Sequence, residues 1–397
     1  MIRLLNRRRL QLLFPLVLGA ALLGPVSQAT AKGGQVAWRI DLSKQGRVMT
    51  MTKGTGGTVL VIQEAQPLSI KGPVPLIVKA IDRRGRVSWT KTLLRNRNVN
   101  TCWAERPKVG DAVVLCGLGK SKRKANFRLW RIGAGGGKIS TQPLRLPNLS
   151  VVGIVALPDK RLIIAGSRET KAGSGVSLPY VAVLGGNGRI ERLQVLNNTV
   201  PITRTRRAYT AEDINDIAGG PSGGLAIVGT WKGSGPTDGP WNSGFVYRVP
   251  RVGDKITRLS FYRIGRSRLN AVLHRGDGGF IAVGSFRRSG RGAPNAWVVR
   301  LDKRNKVLWK HEIRMGSEPI WATTIAALPG GGFIVGGKGN VYAVGKAWVV
   351  AFDADGKEQW RWRSRSNTYS SVNNIVVPAP GMAVVSVSSF LVAIETK

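Results

Sequence analysis

Acidic side chains are scarce in this chain: 21 Asp and Glu stand against 61 Lys and Arg in 397 residues, a formal charge of +40. A typical chain of this length carries about 12% of each sign, or about 50 residues, so the shortfall of acids, about 29, exceeds the surplus of bases, about 11. Such a balance fits two situations. One is a polyanionic partner, which favours patches of base. The other is a compartment open to an acidic exterior, where carboxylates titrate and contribute little. Histidine and cysteine are scarcer still, with two of each. His274 and His311 lie far from Cys102 and Cys116 in sequence, too few and too scattered for a zinc site. No Ser/His/Asp arrangement, phosphate loop or His-rich metal spacing is present, so the sequence reads as non-catalytic, with no cofactor assigned. After the first thirty residues no apolar run reaches membrane-spanning length.

The start of the chain reads as an export signal. Arg3, Arg7, Arg8 and Arg9 form a positive region without an acid, Leu10 to Leu23 is apolar, and Ala29-Thr30-Ala31 matches an A-x-A cleavage site. Residues 1–31 are therefore assigned as signal peptide and 32–397 as one domain. The expected location is periplasmic or extracellular, with no stable membrane insertion after cleavage. Asn6-Arg7-Arg8-Arg9-Leu10 loosely resembles a twin-arginine signal, but the tract after it has the form of an ordinary secretory one. In an oxidising compartment Cys102 and Cys116 suit one disulfide. Both belong to one hairpin, at positions matched to Val272 and Val283 of a clearer repeat.

Internal repetition is the dominant pattern. A turn rich in Gly, Pro or Asp leads into a short apolar strand ending in Gly. Clear copies are Pro158–Gly166, Pro221–Gly229, Gly276–Gly284 and Pro329–Gly337; weaker ones start at Gly56, Asp111 and Gly381. A second motif follows: Ala296-Trp-Val-Val-Arg-Leu-Asp302 leads to Trp309, Ala347-Trp-Val-Val-Ala-Phe-Asp353 to Trp360, and Leu76-Ile-Val-Lys-Ala-Ile-Asp82 to Trp89. Each unit reads as strands A, B, C and D joined by hairpin turns. Seven such units make an all-β, seven-bladed β-propeller of four-stranded blades. The last unit lacks its outer strand, and Gly34-Gln-Val-Ala-Trp38 at the mature N-terminus matches Gly85–Trp89 and Gly356–Trp360. The N-terminal strand is therefore predicted to complete the last blade and close the ring. These motifs resemble secreted bacterial and archaeal propellers with D-G-G-[FY]-I-x-x-G and A-W-V-x-[KR]-[LF]-D-x-x-G-x-x-x-W units, near the quinoprotein-like propeller superfamily. That resemblance implies a fold and no single function.

Most conspicuous residues have structural explanations. Trp38, Trp89, Trp309 and Trp360 recur at one strand position and read as packing between blades. Asp82, Asp302 and Asp353 read as turn caps. Asn100, Asn215, Asn270 and Asn373 fall near the start of strand A, beside the central channel, and read as backbone caps, with a ring of ligand-holding amides as the alternative. Glu212, Asp213 and Asp216 form the one dense acidic cluster. With Trp231, Asp238 and Trp241 from the following loop they make a candidate sugar or Ca²⁺ site; local salt bridges to nearby arginines would explain the acids equally well.

Charge is polarised between the two propeller faces. The B–C and D–A loops, which share one face, hold far more bases than acids. Lys122, Arg123, Lys124, Arg204, Arg206, Arg207, Arg266, Arg268, Arg287 and Arg288 are the candidate binding residues there. The face of the A–B and C–D turns is more balanced. The expected function is therefore a non-catalytic exported propeller that engages an anionic polymer or acidic protein through its basic face. Two alternatives are a carbohydrate-active enzyme using the acidic/Trp cluster of blade 4, and an envelope assembly scaffold.

Overall fold

In the computed structural model the described residues are 33–65, 74–95, 99–107, 110–119, 126–146, 149–157, 159–169, 177–196, 211–220, 224–234, 240–261, 266–287, 292–339, 345–365, 370–388 and 390–396. The proposed signal peptide lies outside them.

Every predicted unit forms a four-stranded antiparallel sheet, seven in all. Blade 5 shows the plan. Strand A is Arg266–His274, B is Phe280–Arg287, C is Asn295–Leu301 and D is Val307–Ile313. Strand A begins near residue 46 in blade 1, 99 in blade 2, 149 in blade 3, 211 in blade 4, 320 in blade 6 and 372 in blade 7. The B and C strands are apolar on both faces because each packs between two neighbouring blades. Ala347–Phe352, for example, is buried at every position. The D strands form the outer wall and carry polar residues on their exposed side, as in Val87–Leu94. Seven apolar clusters result, one at each junction between neighbouring blades.

The repeated Gly of strand B has a packing cause. Gly166, Gly229, Gly284 and Gly337 face Tyr180, Phe245, Trp297 and Trp348 across the B–C ladder. A Cβ on Gly337 would lie 2.3 Å from Trp348, and one on Gly229 2.4 Å from Phe245. Strand A crowds the same position, since a Cβ on Gly166, Gly229, Gly284 or Gly337 would lie 1.7–2.2 Å from a strand A carbonyl oxygen, so the glycine admits strand A and, at all but Gly284, the strand C aromatic.

Blade 7 closes as predicted. Strand Val36–Asp41 pairs with Phe390–Glu395 as the outer strand of the last sheet. The Gly34 N–H donates to Glu395 O, and the Glu395 N–H to Gln35 O, both at 2.8 Å. The C–D connection that other blades make within one chain segment is here replaced by pairing of two segments far apart in sequence.

Candidate anion-binding site

Strand A lines the central channel, and it carries a feature that the sequence did not reveal. In all seven blades its pairing with strand B shifts by one residue at an equivalent place, a β-bulge. The bulged residues are Met49, Asn100, Val152, Asn215, Asn270, Thr323 and Asn373. The Asn215 side-chain amide donates to Leu269 O at 2.6 Å, the Asn270 amide to Ala322 O at 2.7 Å, and the Thr323 hydroxyl to Val372 O at 2.6 Å. Each acceptor is the residue just before the next blade's bulge. These three side chains stitch blade to blade around the channel, so Asn215 and Asn270 meet the backbone-capping reading, whereas the Asn100 amide nitrogen is buried without a partner.

At the outer rim each D strand docks on the C–D turn of the following blade. A Cβ on Gly85 would lie 2.9 Å from Trp38, one on Gly136 2.5 Å from Trp89, and one on Gly356 2.6 Å from Trp309. Trp360 packs over Gly34, whose ideal Cβ would be 3.1 Å from the ring. The predicted packing role of all four tryptophans is therefore met. Blades 2 to 4 dock without a tryptophan: Leu144 and Gln142 beside Gly188, Arg192 on Val252 O at 2.6 Å, and Thr257 accepting from the Asn305 amide at 3.0 Å. Asp82, Asp302 and Asp353 cap these turns. Asp82 Oδ1 accepts from the N–H groups of Arg84 and Arg86, and Asp302 Oδ1 from those of Arg304 and Lys306, at 2.7–2.9 Å. The Arg86 and Lys306 N–H groups are the first causes that hold these two carboxyls below the usual carboxylate range.

The disulfide forms between Cys102 and Cys116, which face each other across the A–B ladder of blade 2. One detail of the expected equivalence is corrected. Val272 pairs with Ala282, so Cys116 corresponds to Ala282 and not to Val283. The bulge at Asn270 shifts the strand by one residue, and counting along the sequence cannot register that.

Of the candidate basic residues, Lys122, Arg123, Lys124, Arg204, Arg206, Arg207 and Arg288 lie outside the described residues, as does Asp238. Arg266, Arg268 and Arg287 meet in a pocket of about 270 Å³ on the B–C/D–A face, at the junction of blades 4, 5 and 6. Arg266 and Arg287 are directly paired across the A–B ladder of blade 5. Phe286 forms the floor, 5.6 Å from the Trp297 ring. Asn242 and Ser285 add polar edges, and Pro294 and Trp321 an apolar wall; none of the eight lining residues is acidic. The ammonium of Lys338 lies 6.0 Å from the Trp321 ring centroid.

Hydrogen bonds across the blade boundaries fix the walls. The Gly244 N–H donates to Ser267 Oγ at 2.9 Å, tying the blade 4 wall to strand A of blade 5. The Ile320 N–H donates to Pro294 O at 2.9 Å, setting Trp321 beside blade 5. The Trp297 indole donates to Arg268 O at 3.1 Å and holds the strand that carries two of the arginines. Sequence reasoning found the arginines through loop charge. It missed Asn242, Ser285, Pro294 and Trp321, which come from three different blades.

The blade 4 acids are not held as one group. Asp213 is exposed, whereas Asp216, beyond the bulge at Asn215, turns to the channel and accepts from the Val272 N–H at 2.9 Å. Glu212 lies opposite Trp231 in the ladder, and Trp231 is half-buried against the blade 3–4 core. Trp241 belongs to strand C, opposite Gly233. Among the described residues no group of three or more His, Cys, Asp or Glu could hold a metal ion. A second channel acid, Glu105, accepts from the Ala156 N–H at 2.6 Å. Burial pushes the Glu105 carboxyl up to about 8, with a further upward contribution from Asp216, and burial pushes Asp216 up to about 7.

No family model matches the chain, and no curated protein matches it. Solved structures do. The WD40 domain of Pan2 from Neurospora crassa aligns with TM-score 0.54 and 10% identity over 93% of this chain and 97% of that one. YCF48 in complex with a peptide aligns with TM-score 0.51 and 12% identity over 91% and 95%. Sqt1 from Chaetomium thermophilum, bound to the N-terminus of a ribosomal protein, aligns with TM-score 0.54 and 11% identity over 90% and 98%. At such identities the likeness is one of fold, and the chain is a seven-bladed β-propeller.

Proposed function

We propose that the chain is an exported, non-catalytic propeller that binds an anionic polymer or acidic protein through its B–C/D–A face. The observation that carries this reading is the pocket between blades 4, 5 and 6. Three arginines line it, two of them in direct cross-strand opposition, and none of its lining residues is acidic. Arginine forks suit carboxylate and phosphate oxygens, and charge of one sign in a concave site concentrates the field. Two of the similar propellers are seen with a peptide or a partner's N-terminal segment, which supports a binding role for this one. The acid-poor composition and the basic loops of the same face agree with it.

A salt titration of heparin and dextran sulfate binding is the test. Affinity should fall steeply and log-linearly with salt as condensed counterions are released. Arg266→Glu with Arg287→Glu should weaken binding by at least about tenfold, the loss expected from removing charge-assisted hydrogen bonds. Binding that ignores both salt and this pair would rule the reading out.

A further inference from the structure

The seven junctions between blades are not built alike, and the one that closes the ring stands apart. Its apolar cluster joins Val59 and Val61 of blade 1 to Val384, Leu391 and Ala393 of blade 7. Among the described residues it is the smallest of the seven, with ten buried side chains against twelve to fifteen in the others, and it alone has no aromatic ring among them. Two strand B side chains bring polar atoms into it. Gln63 alternates with Val59 and Val61 on strand Val59–Ala65, and Ser386 with Val384 on strand Met382–Val387, so both face this junction. Gln63 is wholly buried and neither polar atom of its amide has a hydrogen-bond partner; Ser386 is 1% exposed and its hydroxyl has none. Such groups lose their water on burial without a bond in return, so they favour any state that rehydrates them. The stitch beside the channel is also longer here. Asn374 Nδ2 donates to the Thr50 hydroxyl at 3.2 Å, whereas the links from Asn215, Asn270 and Thr323 run to backbone carbonyls at 2.6–2.7 Å.

The outer end of the same junction is held. Trp38 of the closing strand packs on Gly85 of blade 1, and its indole donates to Arg83 O at 2.8 Å. Gln63 and Ser386 lie further in, paired with strand A residues on either side of the bulges: Val48 before Met49, and Asn374 after Asn373. We propose that the boundary between blades 7 and 1 is an opening seam: the two blades part from the channel side and admit water to Gln63 and Ser386, while Trp38 keeps the rim clasped and the other junctions stay packed. Parting the blades face to face breaks no strand ladder, since each sheet keeps its own four strands. The seam is independent of what the B–C/D–A face binds.

Labelling of buried thiols in the full, natively folded chain tests this. Val384→Cys places a reporter in the seam, and Val228→Cys and Val335→Cys place one in each of two other junctions; all three valines are completely buried on second strands. With iodoacetamide the Val384→Cys thiol should react at least about tenfold faster than the other two, because local opening there costs less than opening elsewhere. Gln63→Met, which keeps the length of the side chain and removes the amide, should slow labelling of Val384→Cys by at least about fivefold and leave Val228→Cys unchanged. Trp38→Ala should speed labelling in the seam alone. Should Val384→Cys fail to fold, Ala393→Cys reports on the same junction. Urea unfolding of each variant separates local from global opening. Equal rates at the three sites, or faster labelling that only follows a lowered unfolding midpoint, would mean that the ring opens as a whole and would overturn the seam. Labelling that Gln63→Met leaves unchanged or accelerates would overturn it as well, since the amide would then not be what weakens the junction.

Discussion

Single side chains carry the contacts between blades, and the outer docking position is the clearest case. Gly356 has φ +87°, a conformation that side chains rarely adopt, and its ideal Cβ would lie 2.6 Å from Trp309. Backbone strain and overpacking together should make Gly356→Val cost about 3 kcal/mol or more in chemical denaturation. In a Trp309→Ala background the same change should cost clearly less, because the steric part of the penalty has gone. The channel carboxyls make a different prediction. Burial raises Glu105 to about 8 and Asp216 to about 7, whereas the unfolded chain releases these protons near pH 4. The stability that neutral carboxyls contribute is therefore full below about pH 4 and is lost as pH rises through 7 to 8. Glu105→Gln keeps an oxygen for the Ala156 N–H and removes the titration. Its melting temperature should match the parent's at pH 4 and exceed it at pH 8; a parallel pair of pH profiles would contradict this.

Strands and their pairing account for most of what could be read from the sequence. Glycine-bounded apolar runs, the Asp-x-x-Gly turns and the recurring Trp marked the blades because each repeats a local cause: a hairpin turn, a capped turn or a docking ring. The N-terminal strand was legible for the same reason, since Gly34–Trp38 repeats Gly85–Trp89. A chain beginning at Met49 leaves Phe390–Glu395 as an open edge beside a bare Trp360 and should unfold at a markedly lower temperature. The strand A bulges were not legible. They depend on pairing between strands, and the bulged residues differ in type: Met49, Val152 and Thr323 serve alongside asparagines. That omission displaced the disulfide equivalence by one position. The disulfide itself spans a sequence separation of 14, so replacing both cysteines by serine should cost about 3 kcal/mol or less. The pocket was only half legible, because a residue from another blade, such as Asn242 or Trp321, shows no sequence proximity to Arg287.

Across the whole molecule, charge is where two explanations meet. An acid-poor chain suits an acidic surrounding, and the rise in stability expected toward low pH from Glu105 and Asp216 points the same way. A surrounding of that kind explains why acids are few but not why three arginines converge in one pocket on one face. The two explanations separate in a comparison of matched charge reversals. Arg266, Arg268 and Arg287 changed to Glu alter the pocket, and Arg83, Arg84 and Arg304 changed to Glu alter exposed C–D turns on the opposite face by the same net charge. Heparin affinity at a fixed salt concentration should fall by at least about tenfold for the first set and far less for the second, if the anion has a located site. Equal losses from both sets would contradict that account and leave only diffuse attraction to a basic protein.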